Sequence, residues 1–125
     1  MPTSVKDLLA AANAAVPRVS PGDAKALIDQ GALVVDVRDG TEVLATGKVA
    51  GAVAVQRGLL EFKADPGAPS HDPEFRRDRT VIVYCASGGR SALAGKTLKD
   101  MGYTDVRNLG GFKEWAEAGG KVEKA

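Results

Sequence analysis

The stretch VIVYCASGGRSALAG, Val81 to Gly95, carries the only cysteine of the chain. Cys85 is followed by Ala86, Ser87, Gly88 and Gly89, all small, and then by Arg90. Small residues let a backbone curl until several N–H groups face one point, and glycine accepts the left-handed dihedrals that such a curl needs. A helix opening directly behind the loop adds the positive end of its dipole. Amide donors, a helix terminus and the guanidinium of Arg90 each favour thiolate over thiol, and a thiolate is a nucleophile. A lone cysteine is commonly only a small buried hydrophobe. Such a residue needs none of these neighbours, so the pattern predicts a reactive thiolate in an anion cradle.

Four further residues are candidates to support that loop. Asp36 falls at the carboxyl end of an apolar strand-like run, where it would orient Arg90 or brace the loop by accepting backbone N–H bonds. Arg38 reads as structural. Arg57 and Glu61, four apart in RGLLEF, would line the rim, although an exposed ion pair is the usual meaning of that spacing. Arg90 itself either presents charge to an incoming anion or makes a structural pair, and the residues alone leave both open. His71, the sole histidine, lies in an irregular stretch and reads as solvent-facing. Trp115 and Phe112 read as core packing behind a Gly-Gly turn that would lie beside the loop.

Something must hold these residues in place, and the chain alternates between strand and helix patterns. Ser4 and Asp7 form a capping box ahead of Val5, Leu8, Leu9 and Ala12, and Pro17 ends that helix. Ser20, Pro21 and Asp23 start a second helix, which Gly31 stops. ALVVDV (Ala32–Val37), GAVAV (Gly51–Val55) and TVIVY (Thr80–Tyr84) are apolar, valine-rich runs that predict strands buried on both faces. DVRNL (Asp105–Leu109) predicts a fourth strand, and Ser91 to Met101 the helix before it. KADPGAPSHDP, Lys63 to Pro73, has no periodicity and predicts a surface loop. The alternation implies an α/β fold with helices on both faces of a mostly parallel sheet. In such a sheet ligands collect beyond the carboxyl ends of the strands, which is where Cys85 falls.

Composition excludes several functions. With 17 basic and 16 acidic residues, net charge +1, nothing in bulk draws the chain to nucleic acid or to an anionic membrane. One cysteine and one histidine provide neither an internal disulfide nor a zinc site, which favours a reducing compartment. No apolar run is long enough to cross a membrane, and the N-terminus lacks the pattern of a secretion signal, so the expected location is the cytoplasm.

The segments VVDVRD (Val34–Asp39), TGKVAGAVAV (Thr46–Val55), RGLLEF (Arg57–Phe62), VIVYCASGGRSALAGKTLKDMGY (Val81–Tyr103) and NLGGFKEW (Asn108–Trp115) together resemble the single-domain rhodaneses, a family of sulfurtransferases. The resemblance covers roughly residues 19–120. It implies one rhodanese-like domain over residues 1–125, an N-terminal helix over about 4–16 and a three-layer core over about 19–120, with a sheet of about five strands. It further implies that Cys85 is the nucleophile and that Ala86, Ser87, Gly88, Gly89 and Arg90 bind the substrate and the persulfide. No cofactor and no metal are implied. The partners would be a small anionic sulfur donor, thiosulfate or a persulfide, and an external acceptor: cyanide, a thiol, or a protein thiol. Without a second cysteine, unloading must be intermolecular.

This chain departs from the family pattern at Lys48 and Ala50, where histidine and proline are common, and at Ala54, where asparagine is frequent. Gly89 replaces what is often a bulky aromatic, which implies a wider mouth. Two other functions share the fold: a phosphatase or arsenate reductase, and a persulfide carrier or binding module without thiosulfate turnover. Four residues separate Cys85 from Arg90, whereas the phosphatase pattern has one more. The shorter ring suits a sulfur atom better than a tetrahedral oxyanion.

Overall fold

Helix α1, Val5–Ala15, begins where the Asp7 N–H donates to Ser4 Oγ at 3.0 Å and the Ser4 N–H donates back to the Asp7 carboxylate at 3.1 Å. Two otherwise orphaned donors are thereby satisfied. Helix α2, Pro21–Asp29, starts on the Ser20 cap with Pro21 in its first turn, as the sequence predicts. These elements belong to a computed structural model that describes residues 2–125.

Four strands form one parallel sheet in the order β3-β1-β4-β5: β1 is Leu33–Asp36, β3 Val53–Ala54, β4 Val81–Cys85 and β5 Val106–Gly111. An isolated parallel bridge from Arg18 to Asn108 adds a fifth strand position beyond β5. Every residue of β1 and β4 is buried, because helices cover both faces and an unbroken apolar run is the only pattern that suits such strands. One face carries Val35, Val81, Val83 and Cys85 against Val16 and against Ala94 and Leu98 of α5, Gly89–Asp100. The other carries Val34, Ile82, Tyr84 and Leu109 against Ala24 and against Trp115 of α6, Phe112–Glu117. Each fully buried valine or leucine contributes about 1.5–3 kcal/mol. Pairing of β4 with β1 on one side and β5 on the other sets its register and with it the direction of Cys85.

The structure departs from the sequence expectations at element ends and in the short elements. GAVAV yields only the two-residue β3, half-buried to exposed, because it is an edge strand with one neighbour. Helix α3, Gly40–Thr46, and the antiparallel pair of β2, Lys48–Val49, with β6, Val122–Glu123, have no counterpart among the predicted elements. Two-residue strands carry no period to read. RGLLEF forms a 3-10 turn over Arg57–Leu59 that runs into α4, Leu60–Ala64, and the irregular loop follows it. Helix α5 starts at Gly89, two residues before the expected Ser91, so Arg90 belongs to the helix rather than to the loop. His71 is half-buried rather than solvent-facing, with Nε2 3.1 Å from the Phe75 carbonyl.

Candidate active site

Cys85 is the last residue of β4 and points, like Val83 and Val81, to the face covered by α5. Only Ala86, Ser87 and Gly88 separate it from that helix. Gly88 caps α5 at φ +106°, a left-handed turn that a side chain would strain, and this turn swings its N–H onto the sulfur at 3.0 Å. The Ser91 N–H reaches the same sulfur at 3.4 Å, and Ser91 Oγ lies 3.4 Å from it. On the far side, Gly111 leaves room for the loop: a β-carbon there would stand 2.6 Å from the Ala86 carbonyl oxygen. The Gly-Gly turn thus lies directly beside the loop.

Cys85 is 1% exposed. Burial pushes its pKa up, but the Ser91 hydroxyl and the N–H groups of Ser91, Gly88 and Ser87 pull it down further, and the net shift is below the ordinary thiol value. A sulfur held this way is a soft nucleophile, and the same donors would steady any negative charge that forms on or beside it.

Arg90 makes a two-point ion pair with Glu42 of α3: Nη1 to Oε1 at 2.7 Å and Nη2 to Oε2 at 2.9 Å. The Arg90 hydrogen bonds outweigh desolvation and hold the Glu42 carboxyl down to about 2. Glu42 in turn raises the Arg90 pKa against desolvation, and the Cys85 charge raises it further, so the guanidinium stands within electrostatic reach of the sulfur. Glu42 is absent from the sequence-predicted set; a glutamate in an unrecognised short helix carries no local mark of a partner 48 positions away.

Asp36 contacts neither Arg90 nor the loop amides, contrary to both roles expected from the sequence. It is fully buried on the other face, where it accepts from Arg38 N–H at 3.0 Å, Arg38 Nε at 3.0 Å, Arg38 Nη2 at 2.7 Å and the Tyr84 hydroxyl at 2.7 Å. Arg38 is buried with it, its guanidinium carbon 4.5 Å from the Phe112 ring centroid. It also donates to Thr46 Oγ1 at 2.9 Å and to the Gly47 carbonyl at 2.8 Å. Burial and the bond to Asp36 raise the Tyr84 phenol well above its usual range. The pair thus fastens the end of α3 to the sheet, and α3 delivers Glu42 to Arg90.

Arg57 and Glu61 form the exposed ion pair that their spacing predicts, at 3.0 Å, and Arg57 also donates to Thr97 of α5 at 2.9 Å. They brace α4 against α5. Trp115 is buried and donates to the Lys121 carbonyl, and Phe112 stacks on Tyr84.

Three more residues reach the loop without having been singled out in the sequence. Ser91 directly follows Arg90, so its place in the first turn of α5 was the available clue. Asn108 breaks the apolar face of β5, and its Nδ2 donates to the Gly88 carbonyl at 3.2 Å. Arg18 is positioned through the backbone: the Asn108 N–H donates to the Pro17 carbonyl at 2.9 Å and the Val19 N–H to the Asn108 carbonyl at 3.0 Å. Its guanidinium lies against Gly88 and Gly110 and is held loosely by Glu114 at 3.6 Å. Arginine–glutamate pairs therefore flank the loop on two sides.

The family model for the Rhodanese-like domain matches residues 20–118. Over 102 residues the chain is 38% identical to thiosulfate sulfurtransferase GlpE of Pseudomonas fluorescens, covering 78% of this chain and 83% of that protein. A solved structure from Rhodopseudomonas palustris, a protein of unknown function described as a possible tyrosine phosphatase, matches at TM-score 0.87 and 40% identity over 98% of this chain and 99% of that one. The polysulfide-sulfur transferase homodimer of Wolinella succinogenes matches at TM-score 0.76 and 32% identity, covering 96% of this chain and 87% of that one. The match spans the whole sheet and the loop that holds Cys85, and the chain belongs to the rhodanese-like domain family.

Proposed function

We propose that this protein is a sulfurtransferase that carries a sulfane sulfur as a persulfide on Cys85. The observation that carries the reading is the convergence of the Gly88 and Ser91 N–H groups and the Ser91 hydroxyl on one sulfur. The Cys85 thiolate attacks the outer sulfur of thiosulfate, a bond forms between the two sulfurs, and the S–S bond of the donor breaks. Sulfite leaves with the electron pair, and the negative charge ends on the outer atom of the persulfide. Loop amides not already directed at Sγ are available to that atom in the manner of an oxyanion hole. Cyanide, a cellular thiol or a protein thiol then attacks the outer sulfur and returns Cys85 as thiolate. Because the resting sulfur is covered, the donor enters by displacement of the exposed Ala86–Ser87 segment, which small residues permit.

The description of the Rhodopseudomonas relative supports a second reading, a phosphatase on the same cradle. Loop length weighs against it here. Four residues lie between Cys85 and Arg90, one fewer than a cradle for a tetrahedral anion needs, and the Gly88 N–H among them is aimed at the sulfur itself, at 3.0 Å.

Intact mass spectrometry before and after thiosulfate tests the proposal. A gain of one sulfur that cyanide removes, absent in Cys85→Ser, is the expected result. A Cys85→Ser protein that still forms thiocyanate, or a native protein that gains no sulfur, would overturn it.

A further inference from the structure

Asn108 is a polar side chain on the apolar face of β5, 1% exposed, on the side that packs against α1 and α5. The pairing of β4 with β5 steps from Val83–Asn108 to Tyr84–Gly110 and skips Leu109. That bulge brings the Gly110 N–H back onto Asn108 Oδ1 at 2.9 Å, while Nδ2 donates to the Gly88 carbonyl. A backbone N–H can only donate and a carbonyl only accept, so these two groups fix which way the carboxamide faces.

Ser91 Oγ is 2.7 Å from Asn108 Oδ1, 3.1 Å from the Gly88 carbonyl and 3.4 Å from the Cys85 sulfur. A hydroxyl has one proton to give. While Cys85 is a neutral thiol, that proton goes to Oδ1, the nearest acceptor, and a lone pair of Oγ is left to accept from S–H. Once the sulfur is an anion, the proton is worth more on the sulfur, because charge-assisted bonds are the stronger ones. When sulfur transfer moves the charge to the outer atom of a persulfide, Oδ1 is the acceptor to which the hydroxyl returns.

We propose that Asn108 is a positioning residue for Cys85, acting through Ser91: its carboxamide competes for the single hydroxyl proton and so sets how much of it the sulfur anion receives. The inference rests on Cys85 as the reacting sulfur. The charged groups around the cluster are Arg90 with Glu42, Asp39 beyond them, and Arg18 with Glu114 at the other flank. None of them is altered in the variants below.

The test is the pH dependence of Cys85 alkylation by iodoacetamide in four proteins: wild type, Ser91→Ala, Asn108→Ala and the double variant. Ser91→Ala should raise the midpoint. Asn108→Ala should lower it by roughly 0.5 pH unit, a threefold gain in thiolate fraction at a pH well below the midpoint, whereas simple loosening of the loop would raise it. In the Ser91→Ala background the same Asn108 substitution should shift nothing. An unchanged or raised midpoint in Asn108→Ala, or an equal shift without Ser91, would overturn the proposal. Should Asn108→Ala not fold, wild type and Ser91→Ala decide it by NMR. The Asn108 side-chain amide signals should titrate with the thiol in wild type and lose that response in Ser91→Ala; a response that persists would overturn it. No sulfur donor is present, so a protein that failed to take sulfur from thiosulfate would still report on Asn108, and sulfur loading is measured separately by mass.

Discussion

Arg90 and Glu42, 48 positions apart, meet through two hydrogen bonds of 2.7 and 2.9 Å beside the Cys85 loop. The arginine that could have pointed its donors into the cradle has both ends engaged outside it. Its charge still reaches the sulfur. The field of Arg90 favours an anion at Cys85, while its pair with Glu42 clamps α3 to α5.

Replacing Arg90 by Ala removes that field, so the alkylation midpoint of Cys85 should rise and thiosulfate should load sulfur more slowly. The same variant should lose an acid-sensitive part of its stability. Glu42 is depressed from 4.5 to about 2 in the folded protein, so the contribution of the pair is complete above about pH 4.5 and fades as pH falls toward 2. Both side chains are about one-third exposed, which limits the effect to under about 1 kcal/mol. Denaturation curves of wild type and Arg90→Ala should converge at low pH; curves that stay equally far apart would place the loss elsewhere.

In the folded protein the thiol lies below its ordinary value, since the donors from Ser91, Gly88 and Ser87 outweigh burial. The alkylation midpoint should accordingly fall below that of a free cysteine, about 8.5. The linked stability has a definite sign. A depressed thiol stabilises the fold above the unfolded value and ceases to do so as pH falls through the folded one. Wild type should thus gain on Cys85→Ala as pH rises through that window. A midpoint at or above 8.5 would sink the electrostatic account.

The part of the site that could be read in the sequence is the part that is local. Cys85, its small loop and Arg90 lie within six residues that join an apolar strand to a helix, so residue type and spacing alone placed the thiol among amides. Ser4 and Ser20 were legible for the same reason, because caps act over three residues. Glu42, Asn108 and Arg18 act on the loop only through pairing of distant segments, and α3 is too short to announce itself by period. Asp36 shows the opposite error. Its place at a strand end was right, but two residues along an extended chain share a face, and Arg38 takes the carboxylate that the sequence offered to Arg90 or to the loop amides.

Asp36 and Arg38 form a buried pair, 0% and 3% exposed, on the face away from the sulfur. Asp36→Ala leaves an arginine in the core without its counter-charge, a loss of about 3–5 kcal/mol. The melting temperature should drop on the order of 10 °C. Well below that midpoint, sulfur loading per folded molecule should stay close to wild type, because Asp36 touches no loop amide. Thiosulfate loading measured by mass at low temperature checks this, and a deep loss in fully folded protein would return Asp36 to the site.

Lengthening the loop by one glycine tests whether ring size selects sulfur over phosphate. The structure decides where the residue must go. Gly88 caps α5, and its carbonyl accepts from Ala92 N–H and Asn108 Nδ2, so an insertion beside Gly88 would break the cap as well as enlarge the ring. Ala86 and Ser87 are exposed, and a glycine between them leaves the cap, Ser91 and Asn108 in place. The insertion moves the Ala86 and Ser87 amides away from the outer atom of the persulfide and opens space for a larger anion. Losing one such donor typically costs 10²–10³-fold, so thiocyanate formation should fall by roughly 10²-fold while affinity for phosphate or arsenate rises. Thiocyanate formation and aryl phosphate hydrolysis, assayed side by side with folding followed by circular dichroism, measure both. Native protein should show no phosphatase activity, and a folded insertion variant that still transfers sulfur at the native rate would show that ring size does not choose the chemistry.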